Sequence, residues 1–181
     1  MNIPLLKLII PERHDDDRGF FSEIYNFQNY KSMGIKDAFV QDNYSLSLKK
    51  GTLRGLHFQS PPAAQGKLVR CVRGSIYDVA IDIRKGSPTY GSWEGYKLTA
   101  DNGHQLYIPI GFAHGFLTFE DQSEVVYKCT NYYASKSEGS ILWDSCGINW
   151  PVSINPILSK KDFEATLFKD LNSPFIYGKN S

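Results

Sequence analysis

The stretch SIYDVAIDI, residues 75–83, carries a period that decides the fold class. Tyr77, Val79, Ile81 and Ile83 fall at every second position, with Asp78 and Asp82 between them. Successive side chains of an extended strand point to opposite faces, so this spacing predicts a half-buried strand that is apolar on one side. Asp78 and Asp82 are expected on the other side, as solvated or hydrogen-bonded edge groups. Similar runs rich in Val, Ile, Tyr and Phe, punctuated by Gly, Pro, Asn and Asp, occur at 38–48, 67–72, 95–99, 105–108, 115–119 and 124–133. Strands this closely spaced predict a mainly β chain folded as a sandwich, barrel or jelly roll. The exception is the tail after Pro156, where Ser159 can cap a short helix carrying Phe163, Leu167 and Leu171 on one side.

The chain has 181 residues, 41% of them hydrophobic. That is enough for one well-buried core and short for two, so a single domain over 1–181 is expected, with its β core at about 38–133 and a tail at 156–181. Lys and Arg total 20 against 19 Asp and Glu, a net charge of +1. No global field would draw such a chain to nucleic acid or to an acidic membrane, and any anionic ligand must be held locally. The apolar run before Pro11 is too short for a signal peptide and nothing later approaches membrane-spanning length, which predicts a soluble cytoplasmic protein. Cys71, Cys129 and Cys146 lack Cys-x-x-Cys spacing and are odd in number. They read as small core residues, neither a disulfide framework nor a zinc site.

The chemistry gathers around LRGLHFQSPPAAQGK, residues 53–67, where an Arg, a His and a Lys flank a Gly- and Pro-broken segment. In KLVRCVR, Lys67 shares its strand face with Val69 and Cys71; in EVVYKCT, Tyr127 shares its face with Val125 and Cys129. Both polar groups therefore point inward with apolar neighbours. An inward Lys either meets an anion in a functional cleft or ends its strand with the ammonium in water. His57 and His114 lie in segments with the spacing of cupin motifs, of which GHQLYIPIGFAHG, residues 103–115, is the fuller match. In the first segment Gln59 stands where a second metal-binding His is expected, and Pro61 to Ala64 supply no acidic ligand. Two histidines are too few for a metal needing three or four N/O ligands. The pattern resembles a cupin-like jelly roll whose metal site has been dismantled, with a hydrogen-bonded core imidazole as the alternative for either His.

The segments DDRGFFSE, FVQDNYS, LRGLHFQ, AQGKLVR, DIRKGSPTYG, PIGFAHGF, VVYKCTNYY and LSKKD, in this order from about Asp17 to Asp162, resemble the dTDP-4-dehydrorhamnose 3,5-epimerase family. The resemblance implies a metal-free, cofactor-free jelly roll working as a homodimer on a dTDP-linked 4-keto-6-deoxyhexose. In such a sugar the C3 and C5 protons lie α to the carbonyl. Removing either gives an enolate, so inversion needs a base, an acid from the other face, and a cation at the C4 oxygen.

The resemblance gives these roles to His57 as base, Tyr127 as acid and Lys67 as the oxyanion partner, with Asp162 orienting His57. Pattern alone leaves alternatives open: Ser159-x-x-Asp162 also reads as a helix capping box, and Tyr127 as an ordinary core tyrosine. For binding, the resemblance implies Arg54 on the diphosphate with His114 and Lys161, Gln41 and Asn43 along the nucleotide, and Glu138 on a polar group there. Tyr133 would stack or pack against it, and Arg18 and Glu23 would reach the base from the neighbouring subunit. Ala134 and Ser135, near where the family often has Pro, and Asn149, where Asp is common, are departures that touch loops. A sugar 3,4-ketoisomerase would carry a second His just after His57, where Phe58 and Gln59 stand. A non-catalytic sugar-binding cupin would need no acid and base together.

Overall fold

The computed structural model describes residues 3, 5–151 and 155–179. Its strands are β1 (Lys7–Ile9), β2 (His14–Asp16), β3 (Gly19–Phe21), β4 (Gln41–Ser47), β5 (Leu53–Gln59), β6 (Lys67–Arg73), β7 (Ser75–Asp82), β8 (Trp93–Thr99), β9 (Gln105–Ile108), β10 (Phe112–Thr118), β11 (Ser123–Cys129) and β12 (Glu138–Ser140). Two one- to two-turn helices join them, α1 (Phe27–Ser32) and α2 (Lys160–Phe163). One five-stranded sheet runs β1-β9-β6-β11-β4 and the other β12-β5-β10-β7-β8, with every neighbouring pair antiparallel. From β4 to β11 successive strands switch sheets at every step except β7 to β8, which pair in one sheet, the order of a jelly roll. β2 and β3 form a separate exposed hairpin.

Three apolar layers hold this arrangement. Between the sheets, Val69, Cys71, Leu106, Ile108 and Val125 pack against Ile76, Ala80, Leu98, Phe112 and Phe116. Outside the β5-β10-β7 sheet lie Leu56, Phe58, Val79, Ile81, Ile83 and Ala113, covered by Ile141, Ile148 and Phe175 from the chain after β12. Outside the other sheet, Ile9, Leu68 and Tyr107 meet Tyr30 of α1 and Ile35. Each fully buried Ile, Leu or Phe contributes on the order of 1.5–3 kcal/mol, and backbone bridges at Ile157, Thr166 and Ile176 also fasten the tail.

Asp78 and Asp82 are hydrogen-bonded, one of the two alternatives expected, but the layering corrects their placement at a solvated edge, since both are fully buried. β7 is an interior strand covered on both sides. Its apolar face, Val79–Ile81–Ile83, looks outward under the tail, while the face bearing Ile76, Asp78 and Ala80 looks between the sheets. Asp82 survives there by hydrogen bonds: Arg84 donates through N, Nε and Nη2 at 2.9, 2.9 and 2.6 Å, Ser87 Oγ at 2.6 Å and Thr89 Oγ1 at 2.7 Å. Burial alone would raise this carboxyl, but these donors outweigh it and hold it below the ordinary carboxylate range.

The tail helix is also shorter than expected. Ser159 caps it, its Oγ accepting from Asp162 N, but it ends at Phe163, whose ring is 71% exposed. Leu167 and Leu171 lie beyond it, because Thr166 is drawn into a bridge with Ile141 and accepts a bond from Leu142 N at 2.8 Å. The run expected at 124–133 stops as a strand at Cys129, and the one expected at 38–48 is paired only over Gln41–Ser47. β1 and β12 extend the sheets beyond residues 38–133. No helix among the described residues is long and apolar enough to cross a membrane. Cys71 and Cys129 are buried and Cys146 is half-buried, all three as free thiols.

Candidate active site

The site begins with an irregularity in β5. His57 pairs with His114 across to β10, yet Arg54 pairs with Phe116, so three steps on β5 match two on β10. This one-residue bulge matters because strict alternation would send Arg54 and His57 to opposite faces. With the extra residue, both side chains line the same cavity. Gly55 makes it possible: its φ is +129°, and a Cβ there would stand 2.5 Å from Gly115 Cα and 2.8 Å from the His114 carbonyl oxygen. Only glycine fits both the backbone conformation and the close approach of β10.

The cavity has a volume of about 410 Å³ and is lined by Arg54, His57, Lys67, His114, Tyr127, Lys161 and Asp162, among others. A smaller lobe of about 110 Å³ shares His57, Lys67 and Tyr127 and adds Gln41, Asn43, Tyr133 and Glu138. His57 comes from one sheet and Lys67 and Tyr127 from the other. Eleven of the thirteen residues singled out from sequence therefore surround one cleft.

Asp162 reaches His57 from α2, its Oδ1 lying 2.5 Å from Nε2. Its other oxygen accepts from Ser159 Oγ at 2.7 Å, and its own N–H donates to that Oγ at 3.2 Å. The capping and pairing readings of Asp162 are thus both realised: the cap fixes the helix that presents the carboxylate. Burial would raise the Asp162 carboxyl, but the bonds from His57 and Ser159 prevail and leave it lowered. An ionised Asp162 on Nε2 fixes the imidazole tautomer and leaves Nδ1 for proton transfer.

Lys67 lies beside Tyr127, its Nζ 5.8 Å from the ring centroid, with no carboxylate at salt-bridge distance among the described residues. Burial pushes its ammonium down; Cys129, Asp78 and Glu138 oppose this only partly. Burial likewise pushes the Tyr127 phenol up, so it keeps its proton until a strong base forms next to it. His114 is buried, with Nε2 2.8 Å from Asp78 Oδ1, and burial lowers its pKa against the pull of Asp78. The second oxygen of Asp78 is buried without a hydrogen-bond partner among the described residues. Sequence reading missed Asp78; the available signal was a carboxylate sharing its strand face with Ile76 and Ala80.

Arg54 is braced by Nε to Ser47 Oγ at 3.2 Å and Nη2 to the Leu46 carbonyl at 3.0 Å, which leaves guanidinium donors over for an anion. Lys161 and Glu138 meet at 2.7 Å. Gln59 is buried, and both ends of its amide are occupied: Nε2 donates to the Ala63 and Tyr132 carbonyls at 2.7 and 3.2 Å, and Oε1 accepts from Ala134 N at 2.8 Å. No group of three His, Cys, Asp or Glu able to hold a metal occurs among the described residues. Arg18 and Glu23 stand apart from the cleft of their own chain. Arg18, 90% exposed, bonds Asp16, and Glu23 accepts from Asn26 and Asn29.

A family model described as dTDP-4-dehydrorhamnose 3,5-epimerase matches residues 1–170. The chain belongs to the dTDP-4-dehydrorhamnose 3,5-epimerase family. It is 55% identical over 168 residues to the dTDP-4-dehydrorhamnose 3,5-epimerase of Salmonella typhimurium, covering 91% of each chain. A crystal structure of the dTDP-6-deoxy-D-glucose-3,5-epimerase from Legionella pneumophila, in complex with dTDP-4-keto-L-rhamnose, is similar at TM-score 0.91 and 46% identity over 95% of this chain and 92% of that one. The family member from Bacillus anthracis, with TDP and PPi bound, is similar at TM-score 0.89 and 47% identity over 92% and 96%. In this member of the epimerase family the two sheets bring the His57 imidazole and the Tyr127 phenol to one cleft from opposite walls.

Proposed function

We propose that the protein epimerises dTDP-4-dehydro-6-deoxy-D-glucose at C3 and C5, giving dTDP-4-dehydro-L-rhamnose. The observation that carries this is the pairing of His57 with Asp162 in the same cavity as Lys67 and Tyr127. At each centre His57 takes the proton α to the C4 carbonyl, and the electron pair of the broken C–H bond moves to the C4 oxygen. Lys67 meets the oxyanion, where a fixed charge in a sheltered site is worth most as the enolate forms. Tyr127, from the opposite sheet, then gives a proton to the other face, forming the new C–H bond with inverted configuration. One proton leaves and one returns, so the reaction balances without a redox cofactor.

The nucleotide side of the reading rests on the basic side chains. Arg54, His114 and Lys161 would take the diphosphate, Gln41, Asn43 and Glu138 would lie along the nucleotide, and Tyr133 would stack on it. The protein would act as a homodimer in the cytoplasm. Arg18 and Glu23, remote from their own cleft, would complete the partner's site, and exposed Phe20, Phe21, Tyr44 and Leu46 are suited to cover such an interface. Incubation with the 4-keto sugar in D₂O, read by NMR, tests the reading. Deuterium at C3 and C5 supports it, deuterium at one carbon makes the protein a mono-epimerase, and deuterium at neither overturns it.

A further inference from the structure

The segment after β11 has a fastening problem that side-chain burial does not solve. Tyr132 and Tyr133 are 66% and 58% exposed, and no strand among the described residues pairs with residues 130–134. Yet three glutamines from three different segments hold its backbone. Gln65 Nε2 donates to the Asn131 carbonyl at 2.7 Å. Gln59 donates to the Tyr132 carbonyl and accepts from Ala134 N, and Gln41 Oε1 accepts from Tyr133 N at 2.9 Å. One Gln41 Nε2 hydrogen goes to Asn43 Oδ1 at 3.1 Å. Every polar group from Asn131 O to Ala134 N named here is met by a side-chain amide, which can donate and accept at once.

The geometry points to Gln59 as a positioning residue that, with Gln41 and Gln65, presets the Tyr133 platform before any nucleotide arrives. Gln59 is the central member: it is the only one of the three with bonds on both sides of Tyr133, and its remaining donor contact ties that segment to Ala63 across the cleft wall. A platform ordered in the free protein need not be ordered at the moment of binding, so the clamp acts on affinity and leaves the proton transfers untouched. The inference rests on the nucleotide reading of Tyr133 given above.

Amide exchange in the ligand-free protein, dTDP titration by calorimetry, and steady-state kinetics of Gln59→Met together test it. The Tyr133 and Ala134 amides are expected to be protected in the free protein despite the exposure of the Tyr133 side chain. In Gln59→Met, a near-isosteric change without amide groups, Ala134 should lose protection while Tyr127 in β11 keeps it. The dTDP dissociation constant and KM should both rise roughly tenfold or more, with kcat within about twofold. Unprotected Tyr133 and Ala134 amides in the parent overturn the proposal, as does a Gln59→Met protein whose kcat falls while dTDP affinity stays. If Gln59→Met does not fold, Gln65→Met repeats the test on the Asn131 side. A parent that does not bind dTDP overturns the nucleotide reading, and exchange at Ala134 then decides the clamp by itself.

Discussion

Lys67→Met separates transition-state stabilisation from binding. At an effective dielectric constant of about 20, two unit charges about 4 Å apart interact by about 4 kcal/mol, the scale of a fixed ammonium beside an enolate oxygen. Because the ground-state carbonyl carries only partial charge, most of this is gained as the enolate forms. A preorganised donor of this kind contributes about 3 to 4 kcal/mol, so kcat should fall roughly 10²- to 10³-fold with little change in KM. Stability should move the other way. Burial lowers the Lys67 pKa, so between that value and the unfolded value of 10.5 the unfolded chain binds more protons and stability rises with pH. Below this window both states are charged and the folded state bears the full burial cost, which Met removes. The assay is deuterium incorporation at C3 and C5 by NMR, with thermal unfolding at pH 7 alongside. A variant with kcat within tenfold of the parent and a raised KM would refute the oxyanion role; a large loss of stability at pH 7 would refute the absence of a structural partner.

Asp162→Asn should cut kcat by roughly 10²- to 10⁴-fold by losing control of the His57 tautomer, measured by the same incorporation assay. Because the folded Asp162 pKa is lowered, its stabilisation is present above the unfolded value of 3.8 and lost as pH falls through the folded value. The variant should accordingly show a shallower acid unfolding curve by circular dichroism. Arg54→Lys keeps the charge but loses the braces to Ser47 and Leu46 and the two-pronged geometry, so KM should rise roughly tenfold with kcat nearly constant. Gly55→Ala must place a Cβ 2.5 Å from Gly115 Cα at φ +129°; destabilisation of at least about 1–3 kcal/mol is expected in urea titration. A neutral result there would remove the bulge argument for how Arg54 and His57 share a cavity.

The period-2 signal in residues 75–83 was enough to give the fold class, because one alternating strand with many like it leaves few packings. It failed on which face was wet. Alternation reports that two faces differ; it does not report that the more apolar one is outside, under a tail that closes over it. Asp78 and Asp82 were misread for that reason. The cleft residues were legible because Lys67 and Tyr127 obey strict alternation with apolar neighbours. Arg54 and His57 do not, being three apart, and only the bulge at Gly55 reconciles them. The tail helix was overextended since Phe163, Leu167 and Leu171 keep a helical spacing that the Ile141–Thr166 bridge overrides.

The two imidazoles show how one frame yields two chemistries. His57 and His114 are direct cross-strand partners, and each meets an aspartate through Nε2. Their aspartates come from different places: Asp162 from a capped turn of the tail, Asp78 from the interior face of β7. The His57 side chain keeps 34% exposure and opens to both lobes of the cleft, whereas that of His114 keeps 7%. A base that accepts a carbon proton must become an imidazolium and lose the proton again, which the more accessible ring with an ionised, doubly hydrogen-bonded Asp162 can do. His114, whose pKa burial lowers, resists that charge, and its Nε2 is already engaged with Asp78. On the proposed roles, division of labour between the pair follows from burial, the more open ring being the base.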